Sequence, residues 1–514
     1  MSRGPLLFLA IVIAGLFGCG DSGGSAAPDA GPDAASDAGP DAASDATPDA
    51  GADTTAPTLI SASPTDGSLV ENSDALVFVF DESLDEGSIV LGGSLAAESD
   101  GGALSTTTVA NDTVTVAPTS TWSGGFGRTL EVTVADAAGN ATSGLPFGYD
   151  LRLVFSNFQS ASVIIGQPDF TSNTRAAVSA TSFIEPLGTV IAEGRLYITS
   201  ESFDRVVIFG ALPAENNASA TSVLGQSDLM TNEFLATSAG SLRDSNDVAA
   251  NAAQLAIADT TAHRVLLYSG VPTTGPVDAS VVVGQAAMDA STSGCSATSL
   301  ATPRGVAMSS DKLIVADTNN DRVLIWNSIP STNGQAADVV LGQNDLDTCD
   351  IPTFGASSVG SASGIWTDGT RLLVADGRRV LMWNSFPTAN NQAADVVVGQ
   401  PDFTTNDDTT TASGLAAGEH YIGSNGTQLC IPDSNNHRVL IWNDIPTSNG
   451  QAADVVLGQG DFTHGTANDD DQDDITDGAP TARTMDQPTS CAFFEDKLVV
   501  GEYNNHRLTI FQSQ

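Results

Sequence analysis

Short runs in which hydrophobic and polar residues alternate dominate the chain from about residue 56 onward. Leu76, Phe78 and Phe80, for example, are separated by single residues and would lie on one face of a strand. Successive side chains of a β-strand point to opposite faces, so this alternation predicts strands with one buried face. About seven such runs, separated by turn residues, lie between 56 and 157, and runs of that number and spacing predict a β-sandwich.

A second pattern, repeated along the rest of the chain, joins an apolar run ending in Gly-Gln to a polar turn that ends in Arg. Intervals of 57 to 59 residues separate the glutamines Gln167, Gln226, Gln285, Gln343, Gln400 and Gln459. The arginines are Arg205, Arg264, Arg322, Arg379, Arg438 and Arg507. In a clear copy, Leu313 to Trp326, two apolar strands flank the polar turn, which predicts a β-hairpin.

Each repeat contains four apolar runs, and there are six repeats. A single four-stranded sheet cannot bury both of its faces, so the sheets are expected to stack radially as the blades of a propeller. The first Gly-Gln strand, 162–167, precedes the first hairpin, whereas the last hairpin ends at Phe511 with three residues left. We therefore expect strand 162–167 to complete the sixth blade. The fold class predicted is all-β: a sandwich at 56–157, then a six-bladed propeller at 158–514 closed by an N-terminal outer strand.

Both predicted domains resemble known families. The hairpin Val315-Ala316-Asp317 through Asn320-Asp321-Arg322-Val323 resembles NHL-type propeller repeats, and the resemblance covers roughly 160–514. The segment 56–157 resembles a bacterial Ig-like domain in its opening Ala56-Pro57-Thr58, in Phe80-Asp81-Glu82 and in Asp136-Ala137-Ala138-Gly139-Asn140. Since Ig-like domains of this kind are mostly spacers or adhesive modules, the resemblance implies a spacer.

The N-terminus predicts export. An apolar run, 6–17, has the length of a signal-peptide core and is too short to span a bilayer. Its end, Leu16-Phe17-Gly18-Cys19, resembles the lipobox of bacterial lipoproteins, which implies a signal peptide at 1–19 and lipidation of Cys19. An ordinary secretory signal with an incidental cysteine is the alternative. Gly20 in place of Asp implies the outer membrane or cell surface rather than the inner membrane.

An Ala-, Asp- and Pro-rich segment, 20–55, follows the cysteine. An eight-residue unit occurs at 31–38 and again at 39–46. Such a composition buries too little apolar surface to offset the entropy of ordering, so a disordered tether is expected. It would hold the folded domains away from the membrane.

Charge narrows the classes of partner. The 514 residues include 18 Lys and Arg against 62 Asp and Glu, a net charge of −44. A polyanion of this strength is repelled by nucleic-acid phosphates and by anionic lipid. We therefore expect no nucleic-acid partner and membrane contact only through the lipid anchor.

Residues that recur in nearly every repeat are expected to be structural. An acid and an arginine flank the turn at a common spacing in four repeats, as in Asp317 and Arg322. Ser200 replaces the acid in the first repeat, and a shortened turn separates Asp376 from Arg379 in the fourth. The repeated Gln is expected to bind backbone groups at a strand end. Trp326, Trp383 and Trp442 are expected to pack between blades.

Residues that break the repeat are better candidates for a site. At the entry to the first strand of each blade, most repeats carry small residues, whereas two carry Asp247 and Tyr421. With Asn246, Arg304 and His420 at the neighbouring position, these five could converge as a polar ligand-binding pocket over the mouth of the channel. The alternative is a solvated channel rim.

A loop near the C-terminus could bind calcium. Asp469, Asp471 and Asp473 place carboxylates at alternate positions, which suits a hard cation such as Ca²⁺. The EF-hand pattern fails because Asp474 stands at the position of the turn glycine. A solvated acidic loop is the alternative, and no other cofactor is indicated.

Four further cysteines, Cys295, Cys349, Cys430 and Cys491, could form two disulfides in an exported chain, although the sequence alone does not fix their pairing.

Most catalytic motifs are missing: neither His-Glu-x-x-His, nor Cys-x-x-Cys, nor a phosphate loop occurs. The sequence therefore favours a surface-anchored, monomeric lipoprotein whose propeller binds a protein, peptide or glycan, and no catalytic residue is assigned. The alternative is a metal-dependent propeller hydrolase or lyase with its site near His420, Arg304 and Asp247.

Overall fold

A computed structural model describes residues 53–351 and 353–514. The predicted signal peptide, Cys19 and nearly all of the tether at 20–55 lie outside these residues. No described helix is both long enough and apolar enough to cross a membrane. Apart from four single-turn 3₁₀ helices at Ala96–Glu98, Glu201–Phe203, Thr318–Asn320 and Ser434–Asn436, the regular structure is β.

The first domain consists of two four-stranded sheets. In spatial order, the strands of the first sheet are Leu59–Ser63, Leu76–Phe80, Thr113–Val116 and Ala103–Ser105. Those of the second are Leu69–Val70, Leu145–Leu151, Gly125–Thr133 and Val90–Gly92. Alternate residues of both sheets, including Phe78, Phe80 and Leu130, pack into one buried cluster. The sandwich predicted from the alternating pattern is thus found, with eight strands rather than about seven.

Six four-stranded sheets make up the rest of the described chain, and we call them sheets one to six. Sheet one contains Pro186–Ala192, Arg195–Ser200, Arg205–Phe209 and Ser222–Leu224. Sheet two contains Ser245–Ala250, Gln254–Asp259, Arg264–Ser269 and Val281–Val283. Sheet three contains Pro303–Met308, Leu313–Asp317, Arg322–Trp326 and Val339–Leu341. Sheet four contains Ala362–Thr367, Leu372–Asp376, Arg379–Trp383 and Val396–Val398.

Sheet five contains Gly423–Ser424, Leu429–Asp433, Arg438–Trp442 and Val455–Leu457. Sheet six contains Pro488–Phe494, Lys497–Glu502, Arg507–Gln512 and, as its fourth strand, Val163–Ile165. This last strand comes from the start of the domain and pairs antiparallel with Arg507–Gln512. Its partners are Ile165 with Leu508 and Val163 with Ile510.

Buried side chains fill the space between successive sheets. One cluster joins sheet three to sheet four through Ile314 and Leu372, and others join the remaining neighbours in order. Sheet six shares a cluster with sheet one, in which Ile165 packs with Leu196 and Leu508. The apolar faces of each sheet are therefore covered by the neighbouring sheets, as expected for four-stranded sheets that cannot bury both faces alone.

The repeated acid and arginine form buried ion pairs in five of the six sheets. The pairs are Asp259–Arg264, Asp317–Arg322, Asp376–Arg379, Asp433–Arg438 and Glu502–Arg507. Each arginine also donates to backbone carbonyls of the loops on either side, as Arg322 does to the carbonyls of Leu346, Ser296 and Ser299. In sheet one Arg205 has no acid partner among the described residues, and burial lowers the pKa of its guanidinium to about 10. These contacts give the repeated pair a structural role.

The repeated Gly-Gln also has a structural explanation. Each glycine has a positive φ, between 83° and 91°, which residues with a side chain rarely adopt. The turn places the following glutamine where it holds the next loop; Gln343, for example, donates to the carbonyls of Asp321 and Asp350. The tryptophans at 326, 383 and 442 are buried, and each indole NH donates to a backbone carbonyl nine residues ahead.

The segment between the two domains runs along sheets five and six. Leu153 and Phe155 pack in the same buried cluster as residues of both sheets. The Gln428 side chain accepts from the Leu153 amide and donates to its carbonyl. Asn157 accepts from the Val456 amide at 3.0 Å, the role that Asn449 plays for Val397 one sheet earlier.

Candidate functional site

The first strands of all six sheets line one cavity of about 230 Å³, which we call the central cavity. Five of these strands have a register irregularity near their start, where two or more residues oppose fewer on the second strand. Such bulges turn a side chain away from the direction that a regular strand would give it. The bulges fall at the entry positions that the sequence singled out.

Close approach of neighbouring first strands explains why most of these entry positions are small. A Cβ atom added at Gly305 would lie 1.8 Å from the carbonyl oxygen of Ser363, and one at Gly364 would lie 2.0 Å from that of His420. At Gly188 it would lie 2.4 Å from a carboxylate oxygen of Asp247. Asp247 therefore occupies space that the glycine in the preceding sheet leaves open.

Asp247 lies at one end of the central cavity and is 7% exposed. One carboxylate oxygen accepts from the Val248 amide at 2.9 Å and the other from the Val306 amide, in sheet three, at 3.0 Å. Burial raises the pKa of this carboxyl to about 7, and the two amide hydrogen bonds oppose that rise. The carboxylate thus holds two adjacent first strands together.

Tyr421 and Asn246 lie at the same end. Tyr421 is 4% exposed, and burial, with the nearby charge of Asp247, raises the pKa of its hydroxyl well above the usual value. This hydroxyl lies 3.4 Å from a carboxylate oxygen of Glu419. Asn246 is 3% exposed, lies beside Tyr421, and its Oδ1 atom has no hydrogen-bond partner among the described residues.

Arg304 joins this group from sheet three. Its side chain is 33% exposed and forms an ion pair with Glu419, in the segment that leads into sheet five. The Nε atom of Arg304 is buried and has no partner in the described part of the chain. Four of the five residues that the sequence selected therefore gather around one end of the cavity: Asn246, Asp247, Arg304 and Tyr421.

His420 points away from that group. Its Nδ1 atom contacts the carbonyl of Pro432, and its Nε2 atom lies 2.8 Å from the carbonyl of Gly377 and 3.3 Å from that of Ala416. The ring is fully buried between sheets four and five. Both ring nitrogens are thus engaged by backbone carbonyls.

Two further residues belong to the site and were missed in the sequence. Glu201 accepts from the Tyr503 hydroxyl at 2.9 Å, linking sheets one and six. Burial raises the pKa of Glu201, and the charges of Asp244 and Glu185 act in the same direction. With Glu419, these side chains line a second cavity of about 250 Å³, which we call the mouth cavity.

A sequence signal for this pair exists. In three sheets, the residue directly after the acid of the turn is Thr or Ser. Its side-chain hydroxyl donates to a backbone carbonyl in the first strand of the next sheet. Thr260 donates to the carbonyl of Pro303, Thr318 to that of Ala362, and Ser434 to that of Pro488. Glu201 and Tyr503 replace this hydroxyl in sheets one and six, so they break the repeat as clearly as Asp247 does.

Elsewhere, the acidic loop after Gln459 brings three carboxylates together. Oxygens of Asp469, Asp471 and Asp477 lie within 4.8 Å of one another. Asp473 instead accepts from the Ile475 amide through its side chain. The charge of Asp473, with smaller effects of Asp477 and Asp469, raises the pKa of Asp471. A hard cation would fit this set of oxygen donors.

The four further cysteines form two disulfides. Cys295 pairs with Cys349 between the long loops of sheets two and three, and Cys430 pairs with Cys491 between sheets five and six. Disulfides of this kind persist in oxidising compartments. They fit an exported protein.

Comparison with known proteins identifies part of the chain. Residues 53–156 match the family model of a bacterial Ig-like domain, which confirms the family predicted for the sandwich and fits an exported protein. No curated protein matches the chain.

Solved structures that resemble the chain share little sequence with it. The PQQ-bound aldose sugar dehydrogenase of Streptomyces coelicolor is 14% identical, covers 68% of this chain and all of its own, and has a TM-score of 0.36. Myxococcus xanthus glutaminyl cyclase is 10% identical, with 69% of this chain and 99% of its own covered, at a TM-score of 0.31. CopC from Methylosinus trichosporium OB3b is 16% identical over 19% of this chain and 98% of its own, at 0.15. Such scores carry no functional argument, and the family shown is that of the Ig-like segment alone.

Proposed function

We propose that this protein is a surface-anchored lipoprotein whose six sheets form a closed, NHL-like β-propeller that binds a protein, peptide or glycan through its mouth. The pairing of Val163–Ile165 with Arg507–Gln512 and the cluster shared by sheets six and one support the closed ring. The Ig-like domain then acts as a spacer between the anchor and the propeller, and the chain works as a monomer.

One observation carries the binding function: at the mouth, the repeated contacts between sheets are replaced by polar side chains with unused hydrogen-bonding capacity. Glu201 and Tyr503 stand where three other sheets have a hydroxyl that binds the next strand. Arg304 and Glu419 are each one-third exposed, so both remain accessible to a ligand. Side chains freed from scaffold contacts around a cavity are typical of a ligand site.

The metal-dependent hydrolase or lyase is less well supported. His420 would be the histidine of such a site, and both of its ring nitrogens face backbone carbonyls. Within residues 53–351 and 353–514, no group of three His, Cys, Asp or Glu donors close enough to hold a metal lies at the mouth. We therefore propose binding without catalysis.

Binding at the mouth can be tested with the full chain purified in detergent and probed on glycan and peptide arrays. We expect Arg304→Ala to lower the signal of wild-type ligands by about tenfold or more, because a charge-assisted hydrogen bond contributes roughly 1.5–3 kcal/mol. The matched control is Arg371→Ala, which removes another partly exposed arginine paired with an acid, Asp368, on the opposite face. Equal losses in the two variants, or no loss in Arg304→Ala, would argue against a mouth site.

The anchor has its own test. Radiolabelled palmitate should be incorporated into the wild-type chain and not into Cys19→Ser. Labelling that persists in the variant would refute lipidation at this residue.

A further inference from the structure

The central cavity is separate from the mouth cavity and opens on the other face. Along the first strand of sheet two, Asp247 is buried, whereas Ala250, at the far end, is half-buried. The same gradient runs from Thr489 to Phe493 in sheet six. Asp247 and Tyr421 therefore close the cavity at the mouth end, and its entrance lies on the face of the turns between first and second strands.

Most residues that line this cavity are apolar, but the surface that they expose to it is more polar than apolar. Val306, Ile365, Trp366 and Phe493 contribute side chains or backbone to the lining. A cavity of about 230 Å³ is much larger than the space one water molecule requires. Apolar side chains beside polar groups suit a small ligand with a short hydrocarbon body and one polar head.

The head group is indicated by Asp247, a buried carboxylate that no cation neutralises. Among the described residues, no Lys, Arg or His lies within ion-pair distance of it, and Arg304 is paired with Glu419. Its two amide hydrogen bonds leave one lone pair on each oxygen. A buried ionised carboxylate is costly unless a cation compensates it.

The neighbouring Asn246 also has an acceptor without a hydrogen-bond donor among the described residues. This atom, Oδ1, is buried, although only Asp247 of the two residues belongs to the lining of the cavity. A group that donates several hydrogen bonds and carries a positive charge would satisfy the carboxylate of Asp247, which faces the cavity. The primary ammonium group has three donors and one positive charge.

We propose that the central cavity binds an alkylammonium group, with the ammonium at Asp247 and a short hydrocarbon chain against the apolar side chains of the lining toward the open end. This ligand differs from the one proposed for the mouth and reaches its site from the opposite face. The net charge of −44 raises the local concentration of any cation near the protein. The ammonium can belong to a free aliphatic amine or to a lysine side chain.

Calorimetric titration of the full chain with hexylammonium at pH 8.5 tests the proposal, with 1-hexanol as the neutral probe of similar size. Hexylammonium should bind at least about tenfold more tightly than hexanol, because the hydrogen bonds to a charged group add to the shared apolar contact. Asp247→Asn should abolish that difference, since it removes the charge and keeps the size. Equal affinities of wild type for the two probes would overturn the proposal.

A second variant guards against misfolding of Asp247→Asn. Trp366→Ala removes part of the wall and should weaken both probes together. Glu201→Gln changes the mouth cavity and should leave hexylammonium binding unchanged. If this variant lost hexylammonium binding, a separate central site would be refuted, whatever the arrays show for the mouth. Nα-acetyl-lysine methylamide distinguishes the sources: binding of this probe also supports a lysine side chain, whereas binding of hexylammonium alone supports a free amine.

Discussion

The strand Val163–Ile165 offers the sharpest test of the fold, because it comes from the start of the domain and pairs with the end of the chain. Ile165 is fully buried in the cluster between sheets six and one. Ile165→Ala removes three carbons, about 2.4 kcal/mol of transfer free energy at roughly 0.8 kcal/mol for each one, and it adds a cavity term. We expect a loss of about 3 kcal/mol in the free energy of unfolding.

The assay is thermal and urea unfolding of the full chain, followed by circular dichroism. At about 2 °C for each kcal/mol in a protein of this size, the unfolding temperature should fall by about 6 °C. Leu341→Ala is the matched control, because Leu341 has the corresponding position in sheet three and is equally buried. If Leu341→Ala destabilises the protein and Ile165→Ala does not, strand Val163–Ile165 does not belong to sheet six and the closed ring is refuted.

A rearranged chain tests the topology without changing the core. Moving 155–167 behind Gln514 would place eleven residues between Phe511 and Val163, against twelve between Trp442 and Val455 in sheet five. The fourth strand of sheet six would then follow the third directly, as in the other sheets. We expect this variant to keep its unfolding temperature, although residues 155–167 no longer connect the Ig-like domain to sheet one. A variant that fails to fold would contradict the pairing.

Three further predictions concern the cysteines, the acidic loop and Asp247 in the central cavity. The Cys430–Cys491 disulfide joins residues 61 apart in sequence, so its reduction should lower the free energy of unfolding by about 4 kcal/mol. In the same melting assay, the double variant Cys430→Ala/Cys491→Ala should respond less to reductant than wild type does. Calcium at about 100 times its dissociation constant should raise stability by about 2.7 kcal/mol, and Asp471→Asn should abolish the response; an equal response in the variant would exclude the loop as the site. Asp247 has a pKa of about 7 in the folded state, above its unfolded value of about 3.9, so the native state binds one more proton between these pH values. This group therefore makes the free energy of unfolding fall as the pH rises from 4 to 7, by on the order of 4 kcal/mol. Asp247→Asn should therefore gain stability over wild type across that interval in urea titrations, and parallel pH profiles would show that the carboxyl is not perturbed.

The sheets could be predicted from the sequence because the signals that define them are local and repeated. Two apolar runs around a short polar turn specify a hairpin wherever they occur, and the turn from Leu313 to Trp326 forms as expected. Positive φ at the glycine before Gln343 requires a residue without a side chain, so the Gly-Gln motif marks the end of each fourth strand. The Ig-like sandwich followed from the same local alternation and is confirmed by its family match.

The site could be predicted only in part, because each side chain there contacts residues that are distant in sequence. Asp247 and Tyr421 stood out against glycine or serine at the same position, and they do lie together. His420 stood out for the same reason, yet its ring faces carbonyls of its own segment and of the adjacent sheet. Nothing in a list of aligned positions shows which way a side chain points at an irregular strand start.

The acidic loop shows the same limit. Alternate carboxylates at Asp469, Asp471 and Asp473 predict a ligand set only if the backbone stays extended. Instead Gln472 and Asp474 have φ values of 59° and 66°, which reverse the chain. Asp477 then returns to accept from the Asp470 amide at 2.7 Å, and it lies beside Asp469 and Asp471 in place of Asp473.

The link between the two domains has a consequence for how the molecule bears load. The chain leaves the Ig-like sandwich at Leu151, is held at Leu153 by two hydrogen bonds to Gln428, and enters sheet six at Val163. A pull from the N-terminal side therefore reaches Gln428 before it reaches the strand that joins sheet six to the rest of the domain. Because Leu153 and Phe155 are buried with side chains of sheets five and six, that pull must first extract two apolar residues, at roughly 1.5–3 kcal/mol each. The junction thus shields the strand on which the proposed ring depends from tension applied on the N-terminal side.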